Sequence, residues 1–295
     1  MKVIINNDDF GLSHGFNLAI EDCFKNGLTT STSIRTNGIA YKQSVRNIIP
    51  KIGNIGLGIH LNLTDGKTKT PELANKSGDY KRNFLNYLIE LLWPNNTLLR
   101  LIESDIRLQF VQAIQKDRLS IDHINSHEHI HMIPPIFKIV SMLAHEFSIP
   151  FVRVANENWH LTGNIKQDLH SFINTNFLKF LVLKIFSQIN IHTLKKYNLR
   201  SPDRFYGVLY SGHMNSMTIM AALQNAMKHH LPLIEILAHP VLPTPLDTKY
   251  TSEFIKWYSH QKERLIENST LKDTQLKKFI RKHKIILVNY RKLLP

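Results

Sequence analysis

The chain has 295 residues, of which 43% are hydrophobic and 20% charged. This composition is typical of a globular protein that is long enough to bury a substantial core. No internal repeat, low-complexity tract or linker divides the sequence, so we expect residues 1–295 to form a single domain. The one cysteine, Cys23, excludes an internal disulfide and a cysteine-based zinc site.

The chain is strongly basic, with a formal net charge of +14. Part of the surplus is concentrated in residues 249–295, which hold twelve Lys or Arg against four Asp or Glu. Such a surplus can attract nucleic acid, anionic lipid or an acidic glycan. No recognised nucleic-acid motif accompanies it, so we interpret it as a solvated basic face and expect no nucleic-acid partner.

Strand patterns alternate with helical patterns along the whole chain. The strands are predicted at 3–5, 31–36, 55–63, 120–125, 151–154, 204–206, 233–238 and 285–288. The helices are predicted at 16–25, 44–49, 83–92, 98–116, 135–146, 169–186, 217–228, 252–267 and 274–283. This alternation predicts an α/β fold with a parallel sheet covered by helices, and places active residues after the strands.

The most apolar stretch, residues 172–191, is interrupted by asparagine, lysine and glutamine. We interpret it as an amphipathic or buried helix, not as a membrane span. The apolar run near the N-terminus is too short for a signal peptide, so we expect a cytoplasmic location.

Two adjacent aspartates, Asp8 and Asp9, follow the first predicted strand. Neighbouring residues on extended backbone point in different directions, so one carboxylate can bind a metal while the other faces a substrate or a water. The alternative is that both begin a turn or cap the next helix.

Two further strands carry histidines. His60 is the one titratable side chain of the strand at 55–63, and His239 ends an apolar strand just before a proline. The proline holds His239 in an extended conformation. Taken alone, His60 is equally typical of a hydrogen-bonded core histidine.

Four histidines occur within residues 123–131. On an extended strand, the alternation of His127, His129 and His131 would point all three rings to one face, as a metal site requires. The alternative is a histidine-rich surface loop that binds nothing. Strand ends that carry Asp, His, His and His are together what a metal-hydrolase barrel would produce.

These motifs resemble those of a known family, the YdjC-like (ChbG/HpnK) carbohydrate deacetylases. The resemblance lies in residues 6–11, 56–64, 123–132 and 235–240, and more weakly in 205–207, 211–214 and 289–291. It implies a (β/α) barrel, TIM-like and often distorted from the regular eightfold form, similar to that of polysaccharide deacetylases. The family usually has alanine where Asn7 stands and aspartate where Asn125 stands, which could alter hydrogen bonds around the site.

The resemblance implies a metal-dependent hydrolase that removes the N-acetyl group from a small N-acetylated sugar and releases acetate. It assigns Asp9, His60 and His127 as ligands of one divalent metal ion, magnesium or zinc, with His129 as the rival third ligand. Asp8 is then the candidate base that takes a proton from water, and His239 the candidate acid for the leaving amine.

Three further residues are candidates for substrate contact: His129, Arg153 and Glu235. Arg153 could contact substrate hydroxyls or pair structurally. Glu235 could orient His239 or form a buried pair with Arg153. The oligomeric state is open, and a homo-oligomer is one possibility.

Two other functions remain open from sequence. A metal-dependent phosphoesterase or nuclease uses similar ligands, although such sites often hold two carboxylate-bridged metals and few carboxylates lie near these histidines. A basic binding protein with a degenerate site is the second alternative.

Overall fold

The computed structural model describes residues 1–250 and 253–294, without the side chains of 248–250 and 253–254. Eight parallel strands form one sheet: β1 (Lys2–Phe10), β2 (Ser31–Ile34), β3 (Gly56–Leu61), β4 (His123–Ser126), β5 (Phe151–Val152), β6 (Arg204–Tyr206), β7 (Leu233–Ala238) and β8 (Ile286–Leu287). Their order is β5-β4-β3-β2-β1-β7-β6, and β8 also pairs with β1. The sheet curls into a half-barrel with flanking helices, which confirms the predicted α/β fold as a distorted barrel.

The strand β1 lies at the centre of the sheet. It pairs with β2 on one side and with β7 on the other, so residues 3–10 are all buried. Because both faces of such a strand are covered, its apolar run at 3–5 is continuous. Four polar residues follow at 6–9 in the same strand, and they lie where the active residues of parallel sheets are found.

Twelve helices cover the sheet within the described residues. They are α1 (His14–Asn26), α2 (Tyr41–Gln43), α3 (Phe84–Glu90), α4 (Asn96–Phe110), α5 (Pro134–Glu146), α6 (Ile165–Ile173), α7 (Thr175–Lys196), α8 (Ser216–Lys228), α9 (Pro245–Tyr250), α10 (Glu253–Ser259), α11 (Lys262–Thr270) and α12 (Thr274–Lys282). Their inner faces pack with the strands in one large apolar cluster and three smaller ones.

Two helices predicted as continuous are interrupted in the structure. The predicted helix at 169–186 is divided between α6 and α7, because Asn174 leaves the helical conformation and its side chain caps the N-terminus of α7. The predicted helix at 252–267 is divided between α10 and α11, and residue 252 lies outside the described residues. The helix predicted at 98–116 continues past α4 as a wider turn over Val111–Lys116.

The histidine-rich segment is not an extended strand. β4 ends at Ser126, and His127–Met132 forms tight 3-10 turns in which Glu128 and His129 have φ of 53° and 58°. Left-handed backbone at two successive residues ends the alternation on which the prediction depended. The expectation that His127, His129 and His131 share one face is therefore wrong.

α7 has an unusual distribution of apolar residues. By length and composition alone it is apolar enough to cross a membrane, and 28% of its most apolar window is buried. It packs against α5 and α6 on one side. The sequence prediction of an amphipathic or buried helix missed that its outward face is also apolar.

Candidate active site

The carboxyl ends of four strands meet around one cavity of about 240 Å³. β1 supplies Asp8, and β3 supplies His60. The turn after β4 supplies His127 and His129, and His239 directly follows β7. Parallel strands place their carboxyl ends at the same edge of a sheet, and that is why residues more than two hundred positions apart share this cavity.

Asp9, His60 and His127 form a group that can hold a metal ion, with one potential ligand atom from each residue within 4.8 Å of the others. Asp9 Oδ1 lies 3.4 Å from His60 Nε2 and 3.4 Å from His127 Nδ1. Asp9 Oδ1 and His60 Nε2 are buried and have no hydrogen-bond partner. A carboxylate oxygen and imidazole nitrogens left unsatisfied around one point fit a divalent cation.

The orientation of His60 is fixed by Asn125. His60 Nδ1 lies 2.7 Å from Asn125 Oδ1, and Asn125 Nδ2 donates to Asp8 Oδ1 at 3.0 Å. Because the amide oxygen can only accept, His60 carries its proton on Nδ1 and directs the lone pair of Nε2 toward Asp9. Asn125 therefore orients a possible metal ligand without being one itself. Asn7, the other position that differs from the usual family sequence, donates a hydrogen bond to Thr29 Oγ1 instead.

Asp9 is held in an unfavourable backbone conformation, with φ of 64°. Left-handed backbone is uncommon for residues other than glycine and is found at strained functional sites. Burial opposes ionisation of Asp9, but the imidazoles of His127 and His60 outweigh it and hold its pKa well below the usual range. Tyr258 donates a hydrogen bond to Asp9 Oδ2 at 3.2 Å, and the buried Arg35 guanidinium lies 3.5 Å from Oδ1.

Asp8 belongs to a buried ionic network beneath the cavity. Arg153 donates to Asp8 at 2.7 and 2.9 Å and to Glu235 at 2.6 Å, and Tyr290 donates to Glu235 at 2.8 Å. Burial alone would raise the pKa of Asp8, but the charge of Arg153 outweighs it and holds that pKa far below the ordinary value.

This network corrects two candidate roles. Arg153 is 1% exposed and Glu235 is 0% exposed, and they pair with each other below the cavity. Their polar atoms bond each other, Asp8 and Tyr290, and neither residue lines the cavity. Arg153 and Glu235 form a buried ion pair with each other, which is the structural alternative that the sequence left open for both residues.

His239 lines the cavity and is supported by the C-terminal helix α11. Its backbone N donates to Glu267 Oε2 at 2.5 Å, and its Nδ1 lies 3.8 Å from the same oxygen. Glu267 in turn pairs with Arg264 at 3.4 Å. Burial, reinforced by the charge of Arg264, lowers the pKa of His239 to about 3.

The other histidines of the segment have separate surroundings. His129 lines the cavity, lies edge-on to Phe205, and stands outside the group of three possible ligands. His131 is fully buried and bridges Ser126 Oγ and the carbonyl of Arg153. His131 therefore holds the turn in place beneath the cavity.

Sequence reasoning missed four residues around the site: Arg35, Tyr258, Arg264 and Glu267. Arg35 follows β2 directly, so the strand-end rule that selected Asp8 could have found it. The other three come from α10 and α11, which return to the cavity from the end of the chain. No local pattern marks those helices as part of the site.

A curled parallel sheet with a three-residue metal-ligand group at its strand ends defines an α/β protein with a candidate metal centre. The family model described as YdjC-like protein matches residues 2–282. The chain therefore belongs to the YdjC-like family, and the resemblance read from its motifs is confirmed.

Several relatives have been named. The carbohydrate deacetylase of Brevibacillus brevis is 28% identical over 297 residues, which cover 99% of this chain and 100% of that protein. The carbohydrate deacetylase of Clostridium beijerinckii is 31% identical over 66% of this chain and 79% of its own length. The chitooligosaccharide deacetylase of Yersinia pestis is 25% identical over 81% of each chain.

A solved structure from Enterococcus faecalis V583, titled a putative cellobiose-phosphate cleavage protein, has the same fold. It aligns with a TM-score of 0.76 and 20% identity, over 100% of this chain and 99% of that one. At this identity the likeness supports the fold and nothing further.

Proposed function

We propose that this protein is a carbohydrate deacetylase, a hydrolase that removes the N-acetyl group of a small N-acetylated sugar and releases acetate. Relatives along the whole chain bear that name. The observation that carries the proposal is the Asp9, His60 and His127 group, whose two histidines line a cavity together with Asp8 and His239.

The three-residue group would hold one divalent cation. Mixed carboxylate and imidazole ligands suit magnesium, zinc, manganese or cobalt, and we propose magnesium or zinc. When bound, such an ion polarises the amide carbonyl and lowers the pKa of water. Asn125 and Tyr258 keep His60 and Asp9 oriented for that ion.

Asp8 is the proposed base that takes a proton from the attacking water. Its carboxylate is ionised at neutral pH, because Arg153 holds its pKa low. The same ion pair makes Asp8 a weak base, so its contribution depends on a water that is already acidified. Arg153 also fixes the carboxylate in place through two hydrogen bonds.

His239 is the proposed acid that protonates the departing amine. With a pKa near 3 its ring is neutral in the free chain at neutral pH, so it has to gain its proton during the reaction. The negative charges of Asp9 and Asp8 favour the protonated ring. Glu267 Oε2 lies 3.8 Å from Nδ1, and the proposed acid function is assigned to Nε2.

The remaining lining of the cavity suits a sugar. Ser211, Glu128 and the half-buried Lys179 supply hydrogen-bonding groups for hydroxyls, and His129 adds a neutral imidazole. Burial lowers the pKa of His129 well below its usual value, which keeps the ring uncharged. Trp257 stands at the rim, where an indole can pack on the apolar face of a pyranose.

The test is acetate release by purified protein from chitobiose and longer N-acetylglucosamine oligomers, with magnesium, zinc, manganese or cobalt added singly. We expect release with at least one metal and none after chelation. Absence of acetate from every sugar and metal combination would overturn the proposal.

Ligand and base variants separate metal binding from turnover. Asp9→Asn and His60→Ala should each lose bound metal by elemental analysis, whereas Asp8→Asn should keep the metal and lose turnover. A full metal content in both ligand variants would refute the assignment. His229→Ala, at an exposed histidine, is the matched control.

The same purified protein can be used to test the phosphoesterase or nuclease alternative. Within residues 1–250 and 253–294 the structure holds one group of three possible metal ligands, and Asp8, the nearest other carboxylate, is engaged by Arg153. Two metals per chain together with release of phosphate from phosphate esters would favour that alternative.

A further inference from the structure

The outward side of three helices carries an apolar surface, which we call the apolar face. Its members are Leu, Ile and Trp side chains that are 43–84% exposed: Leu85, Ile89, Leu92 and Trp93 in and after α3, Ile165, Leu169 and Ile173 on α6, and Leu178, Leu181, Ile185 and Ile189 on α7. More than a few scattered apolar residues on one surface mark a site of interaction.

The distribution on α7 is the reverse of an ordinary surface helix. Leu178, Leu181, Ile185 and Ile189 recur at spacings of three and four, so they form one stripe along the solvent side. The buried side consists of Phe180, Leu183 and Leu194 together with two polar residues, Ser187 and Asn190. A helix that is apolar on both sides is normally covered on both sides.

The three helices lie next to one another. α6 packs on α7, and the indole of Trp159 in the preceding loop stacks on Phe172 with 4.6 Å between ring centroids. α3 meets the start of α7, where the Lys179 ammonium lies 5.9 Å from the centre of the Phe84 ring. The apolar residues of α6 and α7 therefore belong to one region of the surface, and α3 adjoins that region at Phe84.

The exposed charged side chains on α6 and α7 are all lysines, and the acid of α3, Glu90, pairs with Arg82. α7 contains four lysines and no acidic residue. Lys166, Lys195 and Lys196 are exposed beside the apolar stripes. The single acid of α6, Asp168, is buried and bonds Thr162 and Tyr210. An apolar stripe flanked by lysines is complementary to an anionic surface with an apolar interior.

From this apolar face and its flanking lysines we infer that the protein docks on anionic lipid bilayers, with α6 and α7 lying in the plane of the interface. Trp93 and Trp159, 78% and 46% exposed, supply the amphipathic rings that favour such interfaces. Lys195 and Lys196 face the phosphate groups of the lipids.

A second copy of the chain and a membrane span both suit the apolar face less well. In a symmetric pair of chains, the same lysine-bearing stripe would meet itself, and like charges would oppose each other. α7 as a membrane span would have to leave the fold, yet Asn190 donates to the carbonyl of Met132 at 2.8 Å and Lys184 bonds Asn156 at 2.8 Å. Docking in the interface plane retains both contacts.

The docked protein keeps its proposed active site near the lipid surface. Lys179, which lines the cavity, is the neighbour of Leu178 on α7. The docking inference is independent of the deacetylase proposal, because it concerns binding to lipid and not turnover.

The experiment is co-sedimentation of the full chain with vesicles of phosphatidylcholine alone or mixed with phosphatidylglycerol. We expect binding to the mixed vesicles, weakened by salt, and little binding to phosphatidylcholine alone. The double variant Leu178→Gln/Ile185→Gln should weaken binding roughly tenfold or more. Lys195→Gln/Lys196→Gln should weaken it by roughly fivefold for each lysine.

The matched control is Leu18→Gln/Ile286→Gln, at apolar side chains that are 39% and 55% exposed elsewhere on the surface. It should bind like the unchanged protein, and circular dichroism melting checks that every variant is folded. A protein that stays in the supernatant with mixed vesicles overturns the inference. Equal binding by Leu178→Gln/Ile185→Gln and by the control variant also overturns it. A dimer in sedimentation equilibrium that only Leu178→Gln/Ile185→Gln dissociates would overturn it as well.

Discussion

Asp8 and Asp9 are adjacent in the chain but have different partners, and the backbone is the cause. The left-handed conformation of Asp9 turns its carboxylate toward His60 and His127, while Asp8 stays over Arg153. The sequence predicts that one of these two neighbouring aspartates binds a metal while the other acts as a base. That division depends on the strained backbone of Asp9 near the end of β1.

The role proposed for His239 leads to a prediction at the residue scale. His239→Ala should lower the rate of sugar deacetylation by about 10²- to 10⁴-fold, because the amine leaves poorly without a proton. Hydrolysis of p-nitrophenyl acetate should fall much less, since a nitrophenolate leaves unprotonated. Steady-state kinetics on both substrates measure the difference, and equal losses would contradict the acid role.

His131 shows how burial of one ring makes stability depend on pH. Burial lowers its pKa from 6.5 to about 3. Below pH 6.5 the unfolded chain binds a proton on this ring that the folded chain does not, so stability is lost as the pH falls from 6.5 toward 3.

We therefore predict that the stability advantage of the protein over His131→Asn shrinks as the pH falls. The variant lacks the titrating ring, so the difference in unfolding free energy should decrease by about 1 kcal/mol for each pH unit below 6.5. Urea unfolding of both chains across this range is the measurement. A difference that is constant with pH would show that His131 titrates alike in both states.

At the scale of single elements, the tight pairing of β3 with β4 requires a glycine. A Cβ at Gly58 would lie 2.4 Å from His123 Nε2, and the His123 ring is held by stacking on Tyr290 with 4.1 Å between centroids. His123 Nδ1 also bonds Asp122 at 2.6 Å, so movement of the ring would disturb two contacts. Gly58 therefore allows β3 to pack against β4 and bring His60 to the cavity.

Gly58→Ala should therefore lower the free energy of unfolding by about 1–3 kcal/mol through overpacking. Gly53→Ala is the matched control, because a Cβ there meets nothing within 4 Å, and it should change stability by about 0.5 kcal/mol or less. Urea unfolding of the two variants gives the comparison. Equal effects would indicate that His123 adapts to the added methyl group.

The histidine segment is the element in which sequence and structure differ most. The alternation of its rings indicates a strand, but β4 ends at Ser126 and the chain turns at Glu128 and His129. One consequence is that His127 alone joins the metal group, while His131 supports the turn through Ser126. A sequence period cannot reveal where a strand stops.

At the scale of the whole molecule, the parallel sheet assembles the site. β1, β3, β4 and β7 each deliver one polar strand end to the same edge. The C-terminal helices α10 and α11 then line the cavity with Tyr258 and Arg264, and Glu267 supports His239 from behind it. Truncation of those helices would therefore remove the support of both Asp9 and His239.

The sequence by itself determined the alternation of strands and helices, the polar residues at the strand ends and the family. It could do so because hydrophobic periodicity and short motifs are local properties of the chain. The match of the YdjC-like family model to residues 2–282 confirmed that recognition.

Only the tertiary structure decided which candidates meet. It paired Arg153 with Asp8 and Glu235, fixed the proton of His60 through Asn125, and brought Tyr258 to Asp9. It also left the apolar stripe of α7 exposed, although the sequence alone indicated an amphipathic or buried helix. Contacts between distant segments depend on how the sheet curls and the helices pack, and no local pattern encodes that geometry.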